Sequence, residues 1–169
     1  MLTQATGASG WGYAAASGFP RDHHLFRGFP VSAAQPRDDG GFTVYIPPHD
    51  RLVALRSFED ALDFVMLLQP ADDALVALCD EHRHVLLVVE TAVGRVRSVP
   101  RLAADLEVVS TAIVFTTHPV DDAPPEDWLV EWHRLRTRFD TEGIELVDWL
   151  QFDDDRVRSL AVTAGRRDD

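Results

Sequence analysis

Val85-Leu86-Leu87-Val88-Val89 is apolar without a break, and so is Ala112-Ile113-Val114-Phe115. A strand with one wet face alternates apolar and polar side chains. A strand that is apolar at every position needs cover on both faces. The chain must therefore build a sheet with other elements packed over its centre. At 169 residues it fits one domain.

The neighbouring segments supply the rest. Ser57 is a helix N-cap candidate, with Glu59 and Asp60 in the first turn, where the helix dipole favours anions. Phe58, Ala61, Leu62 and Val65 then mark one helical face up to Pro70. Ala74 to Asp80 and Val85 to Val93 read as two strands, joined by the hairpin connector Glu81-His82-Arg83-His84. Pro100 opens a second helix that uses Leu102, Leu106 and Val109. Thr111 to Thr117 is a third strand. A loop from His118 to Pro125 leads to the longest helix, Glu126 to Thr141, with Leu129, Trp132, Leu135 or Arg136, and Phe139 marking its two sides. Gly143 stands at the C-terminal cap. Ile144 to Phe152 and Arg156 to Thr163 complete a strand pair across Asp153-Asp154-Asp155. The expected class is α/β (α+β), a mixed sheet of about five strands flanked by helices.

Residues 1–50 differ in character. They hold seven of the ten Gly and five of the ten Pro, and show no sustained period. Such a stretch reads as an irregular arm, in which Thr43 to Ile46 can add a short strand before Pro47-Pro48. The expected organisation is an arm over 1–50, an α/β domain over 51–164 and a polar tail over 165–169. The net charge is −12, yet the arm has three Arg and four Asp. The acidity therefore belongs to the folded region. It argues against tracking a phosphate backbone, which needs a cationic face. A single Cys, Cys79, excludes an internal disulfide and reads as an inert core thiol. No stretch approaches 18 apolar residues, so no membrane helix is expected. Met1-Leu2-Thr3-Gln4 lacks the basic start of a signal peptide, and a cytoplasmic location is the expectation.

One region carries a family likeness. The third strand ends in Phe115-Thr116-Thr117-His118-Pro119, followed by Asp121, Asp122, Pro124, Pro125, Glu126 and Asp127. The long helix leads into Gly143-Ile144-Glu145-Leu146-Val147-Asp148-Trp149-Leu150, then Asp153-Asp154-Asp155-Arg156-Val157-Arg158-Ser159-Leu160. Over about residues 72–162 this resembles the RadC-like branch of the JAB/MPN (JAMM) metalloprotease superfamily. The resemblance implies a JAB/MPN-like, cytidine-deaminase-like architecture. It also implies a zinc held by two His of a His-x-His strand end and one Asp, with an upstream Glu as general base.

Carried over by position, the zinc ligands would be His118 and Asp127, with Asp122 as a rival for the Asp. The base would be Asp72 or Asp73. Thr116 stands where the first His belongs, and Trp149 where the Asp-His pair of the later strand has its His. A catalytic zinc usually takes three protein ligands, and Thr is a poor one. The expected function is therefore a non-catalytic RadC/JAB-like module that binds a protein partner or itself and needs no cofactor. One alternative is a divergent zinc-dependent hydrolase of peptidase or isopeptidase type. Another is a DNA-repair-associated protein.

Each candidate also has a plainer reading. His118 suits a loop His that caps the next helix, and Asp127 suits the helix dipole. Asp72-Asp73 suits a turn after Pro70. His82 and His84 are spaced like a metal pair, but equally like a solvated hairpin tip. His23-His24 shows no ligand spacing. His133 lies about 240° around the helix from Asp127 and diverges from it. Trp128, Trp132 and Trp149 suit core or interface anchors.

Overall fold

The computed structural model describes residues 5–6, 12–13, 32–33, 42–47, 53–68, 74–117, 126–153 and 156–165. Its elements in chain order are β1 (Ala5–Thr6), β2 (Gly12–Tyr13), β3 (Ser32–Ala33), β4 (Phe42–Ile46), α1 (Phe58–Leu68), β5 (Ala74–Cys79) and β6 (Val85–Thr91). A 3-10 segment, Val93–Ser98, leads into α2 (Val99–Ala103). Then come β7 (Thr111–Thr117), α3 (Glu126–Thr141), β8 (Glu145–Phe152), β9 (Val157–Ser159) and α4 (Leu160–Gly165).

Among the described residues seven strands form one mixed sheet in the order β3-β4-β6-β5-β7-β8-β9, and β1 and β2 form a second sheet of two strands. Every pairing is antiparallel except β7 with β8. That parallel pair needs a crossover connection, and α3 lies within it. The five expected strands occupy the centre and one edge. The arm supplies the other edge, because Thr43 and Val44 pair with Glu90 and Val89.

Cover on both faces follows from the apolar runs. On one face Leu75, Ala77, Cys79, Val88, Ile113 and Phe115 pack with Ala61, Phe64 and Val65 of α1. On the other, Val76, Leu78, Val89, Ala112 and Val114 pack with Val99 of α2, with Leu160 of α4, and with α3. Leu129, Trp132, Leu135 and Phe139 are the buried α3 residues, so Leu135 and not Arg136 continues the apolar stripe.

Helix ends match their local chemistry. Ser57 Oγ accepts the Asp60 N–H at 3.1 Å, and the Asp60 carboxylate accepts the Ser57 N–H at 2.9 Å. This reciprocal capping box satisfies two donors that the helix cannot. At the end of α3, Gly143 has φ +74°, which an L side chain rarely adopts. Its N–H reaches the Asp140 carbonyl, and the Ile144 N–H reaches that of Phe139. This is a Schellman closure, with buried Ile144 packed in the same cluster as Phe139.

Two expectations are corrected. The second helix does not run on past Leu106. It ends at Ala103, is preceded by 3-10 structure, and leaves Leu102 and Leu106 exposed while Val109 is buried. The strand expected over Arg156 to Thr163 stops at Ser159, and Leu160–Gly165 is helix. Ser159 caps that helix, its Oγ accepting the Val162 N–H at 3.1 Å. Among the described residues no helix is long and apolar enough to cross a membrane.

Candidate functional site

The site is built where β7, β8 and α3 meet. Parallel pairing sets Val114 beside Trp149 and Thr116 beside Gln151. Trp149 and Thr116 are therefore diagonal neighbours on the face that α3 covers. Both are buried, at 2% and 1% exposure. The Trp149 indole N–H donates to Thr116 Oγ1 at 2.9 Å. Gln151 is also buried, and its Nε2 has no partner among the described residues.

Next to this pair is a cavity of about 260 Å³. Asp127, Trp128, Glu131 and Leu135 line it from α3, Trp149 from β8, and Val93, Gly94, Val96 and Arg97 from the 3-10 segment. On α3, Glu131 lies three and four residues after Trp128 and Asp127 and four before Leu135, so these positions share one side of the helix. The Trp128 and Trp149 rings stand edge to face, with centroids 5.2 Å apart. Glu131 sits between Arg97 and Arg134, each 3.6 Å away. Arg138 donates to the Arg97 carbonyl at 3.3 Å and ties the 3-10 segment to α3.

The structure thus gathers four of the residues singled out from sequence: Trp149 bonds Thr116 on one side and lines the cavity with Asp127 and Trp128 on the other. Asp127 is exposed in the first turn of α3, as the dipole favours. Asp72, Asp73, His118 and Asp122 lie outside the described residues, as do His23 and His24. Arg97 and Val93 were missed, because nothing periodic in Val93–Ser98 links them to a helix some thirty residues later. Trp132 is core, His133 is exposed and does not line the cavity, and Trp128 is half-buried.

Among the described residues no group of three His, Cys, Asp or Glu can hold a metal ion. The described part of the family pattern offers one metal-binding side chain, Asp127, where a catalytic zinc takes three.

The hairpin histidines have a structural role. The Asp80 carboxylate accepts the His82 and His84 backbone N–H groups at 2.8 Å, and its other oxygen lies 3.0 Å from His84 Nδ1. These bonds hold a turn in which Arg83 takes φ 64°. Partial burial works to raise the Asp80 pKa, but the bonds from His84 and His82 outweigh it and hold the carboxyl below its ordinary 3.8. A depressed carboxyl contributes stability that is present above its unfolded pKa and lost as pH falls through the folded one. Asp80→Asn is therefore expected to be less stable than the parent at pH 7. The gap in urea unfolding free energy narrows on acidification below about pH 4, and a gap independent of pH contradicts this account. Just before it, burial, reinforced by the charge of Asp80, pushes the Cys79 thiol up to about 12. The thiol is buried and protonated at neutral pH, as an inert core residue should be.

No protein-family model matches the chain, and no curated protein matches it.

Proposed function

We propose that this chain is a RadC/JAB-like domain that has given up its catalytic metal and works by binding protein. The Trp149–Thr116 hydrogen bond carries this reading. In the family pattern two imidazoles stand at these positions. Here a neutral hydroxyl replaces one, an indole replaces the other, and the two are bonded to each other in the core. A zinc at this place would have to compete with a buried hydrogen bond for a weak ligand. Hydrolysis of the family type depends on zinc-bound water with a pKa near 7, and no step through a metal is derived.

What the site retains suits binding: a small cavity with an aromatic wall, on a fold with both sheet faces already covered. The charge of −12 favours a protein partner over a nucleic acid. Metal analysis of protein purified without chelator tests the reading. Zinc is expected well below one per chain. One zinc per chain, lost on His118→Ala, would overturn it in favour of a metal-dependent hydrolase with Asp72 or Asp73 as base.

A further inference from the structure

We propose that the cavity between α3 and the 3-10 segment receives one cationic side chain, an Arg guanidinium, from an extended segment of a partner protein. The inference rests on the protein-binding reading above and names the chemistry of its partner.

Size comes first. Pockets for drug-sized ligands span roughly 300–1,000 Å³, and this cavity is about 260 Å³. It suits one long side chain better than a nucleotide or a folded element. Its lining then selects the side chain. Half-buried Trp128 supplies indole surface, with buried Trp149 edge to face behind it; Val93 supplies aliphatic surface over buried Val96 and Leu135, and Asp127 and Glu131 supply carboxylates. A guanidinium is flat, stacks on indole and pairs with carboxylate, and its stem covers apolar surface. Asp127 is exposed in the first turn of α3, and no hydrogen bond or ion pair joins it to another described residue.

Charge within the cavity decides the sign of the guest. Arg97 and Arg134 flank Glu131, but each contact is 3.6 Å. That is longer than the roughly 2.7–2.9 Å of a charge-assisted hydrogen bond. Arg97 is also half exposed, at 54%. It is a loose rim residue and does not fill the site. An anion would meet Asp127 and Glu131 and, among the described lining residues, would have only Arg97 in its favour.

The test uses the full chain, nitrogen-labelled, with acetyl-Gly-Gly-Arg-Gly-Gly-amide as probe at low ionic strength. The uncharged citrulline peptide and inorganic phosphate serve as comparisons. Saturable shifts of the Trp128 and Trp149 indole N–H signals are expected with the Arg peptide alone, at a Kd on the order of millimolar for a single side chain. Asp127→Asn, at an exposed position that leaves the fold intact, weakens binding about fivefold, as does Trp128→Leu. Arg97→Gln tightens it about twofold by removing a like charge. Three results would overturn the proposal: equal binding of the citrulline peptide, indole shifts produced by phosphate and abolished by Arg97→Gln, or no shift at about ten times that concentration. Absent peptide binding with zinc also absent would end this inference and leave the protein-binding reading standing. Stoichiometric zinc with Arg binding intact would do the reverse.

Discussion

Trp149→Ala is expected to lower the unfolding free energy by about 3–5 kcal/mol, the usual cost of emptying a buried tryptophan site. The residue is 2% exposed and belongs to the cluster formed with Leu129, Trp132 and Leu135 of α3. Its loss removes the edge-to-face partner of Trp128 and the donor to Thr116. Thr116→Val separates packing from bonding. It keeps the shape but leaves the indole N–H buried without its acceptor, at about 1–3 kcal/mol. Trp149→Phe with Thr116→Val completes a double-mutant cycle, and the coupling is expected at about 1 kcal/mol. Urea denaturation measures all three. A Thr116→Val protein as stable as the parent would show the hydroxyl to be uncommitted, and the case for a closed metal position would fall with it.

How far this site could be read from the chain depends on where its parts lie. Thr116, Trp149 and Asp127 were legible, because the strand–helix–strand run from Thr111 to Phe152 has strong local signals. These include an unbroken apolar strand, an i, i+3 stripe on α3, and Gly143 at a left-handed cap. The other cavity wall was not. Val93–Ser98 carries a Gly and two Arg with no period, and only tertiary packing makes it 3-10 and sets it against α3. The second helix was overextended for a related reason. Leu102, Leu106 and Val109 have helical spacing, but the chain turns after Ala103 through bonds from Leu106 to Ala103 and from Val109 to Leu106. The two faces of the sheet were foreseeable from Val85–Val89, since burial on both sides leaves no polar position to place. Leu160–Gly165 was misread because Leu, Ala, Val and Thr in succession look strand-like, and β-propensity is overridden by context. Its deciding signal is a side chain on the preceding strand, Asp148, which bonds Ser159 and the Ala161 N–H.

Asp148 is fully buried, at 0% exposure, between the apolar Val147 and Trp149 of β8. A buried carboxylate is tolerated only when its oxygens are bonded. Here one oxygen accepts the Trp149 N–H at 2.7 Å and the Ala161 N–H at 3.2 Å, and the other accepts the Ser159 hydroxyl at 2.6 Å. Two of these partners lie at the start of α4, and Ser159 in turn caps that helix. One side chain therefore fixes a bulged part of β8, the end of β9 and the direction of α4. The register of β8 against β7 shifts between Ala112 and Ile113, which pair with Leu146 and Asp148. Asp148→Ala is expected to cost about 3 kcal/mol or more, since the Trp149 and Ala161 N–H groups and the Ser159 hydroxyl lose their buried acceptor together, at about 1–3 kcal/mol for each donor left unsatisfied. Ser159→Ala, which loses the cap and one of those bonds, is expected at about 1–2 kcal/mol. The double variant should fall short of the sum, because the two residues share a bond. Hydrogen exchange distinguishes this from general loosening: amides of Leu160 to Gly165 lose protection in Asp148→Ala at urea concentrations where those of α1, on the opposite face, do not. Equal loss of protection in α1 and α4 would mean that Asp148 supports the whole sheet and does not specifically anchor α4.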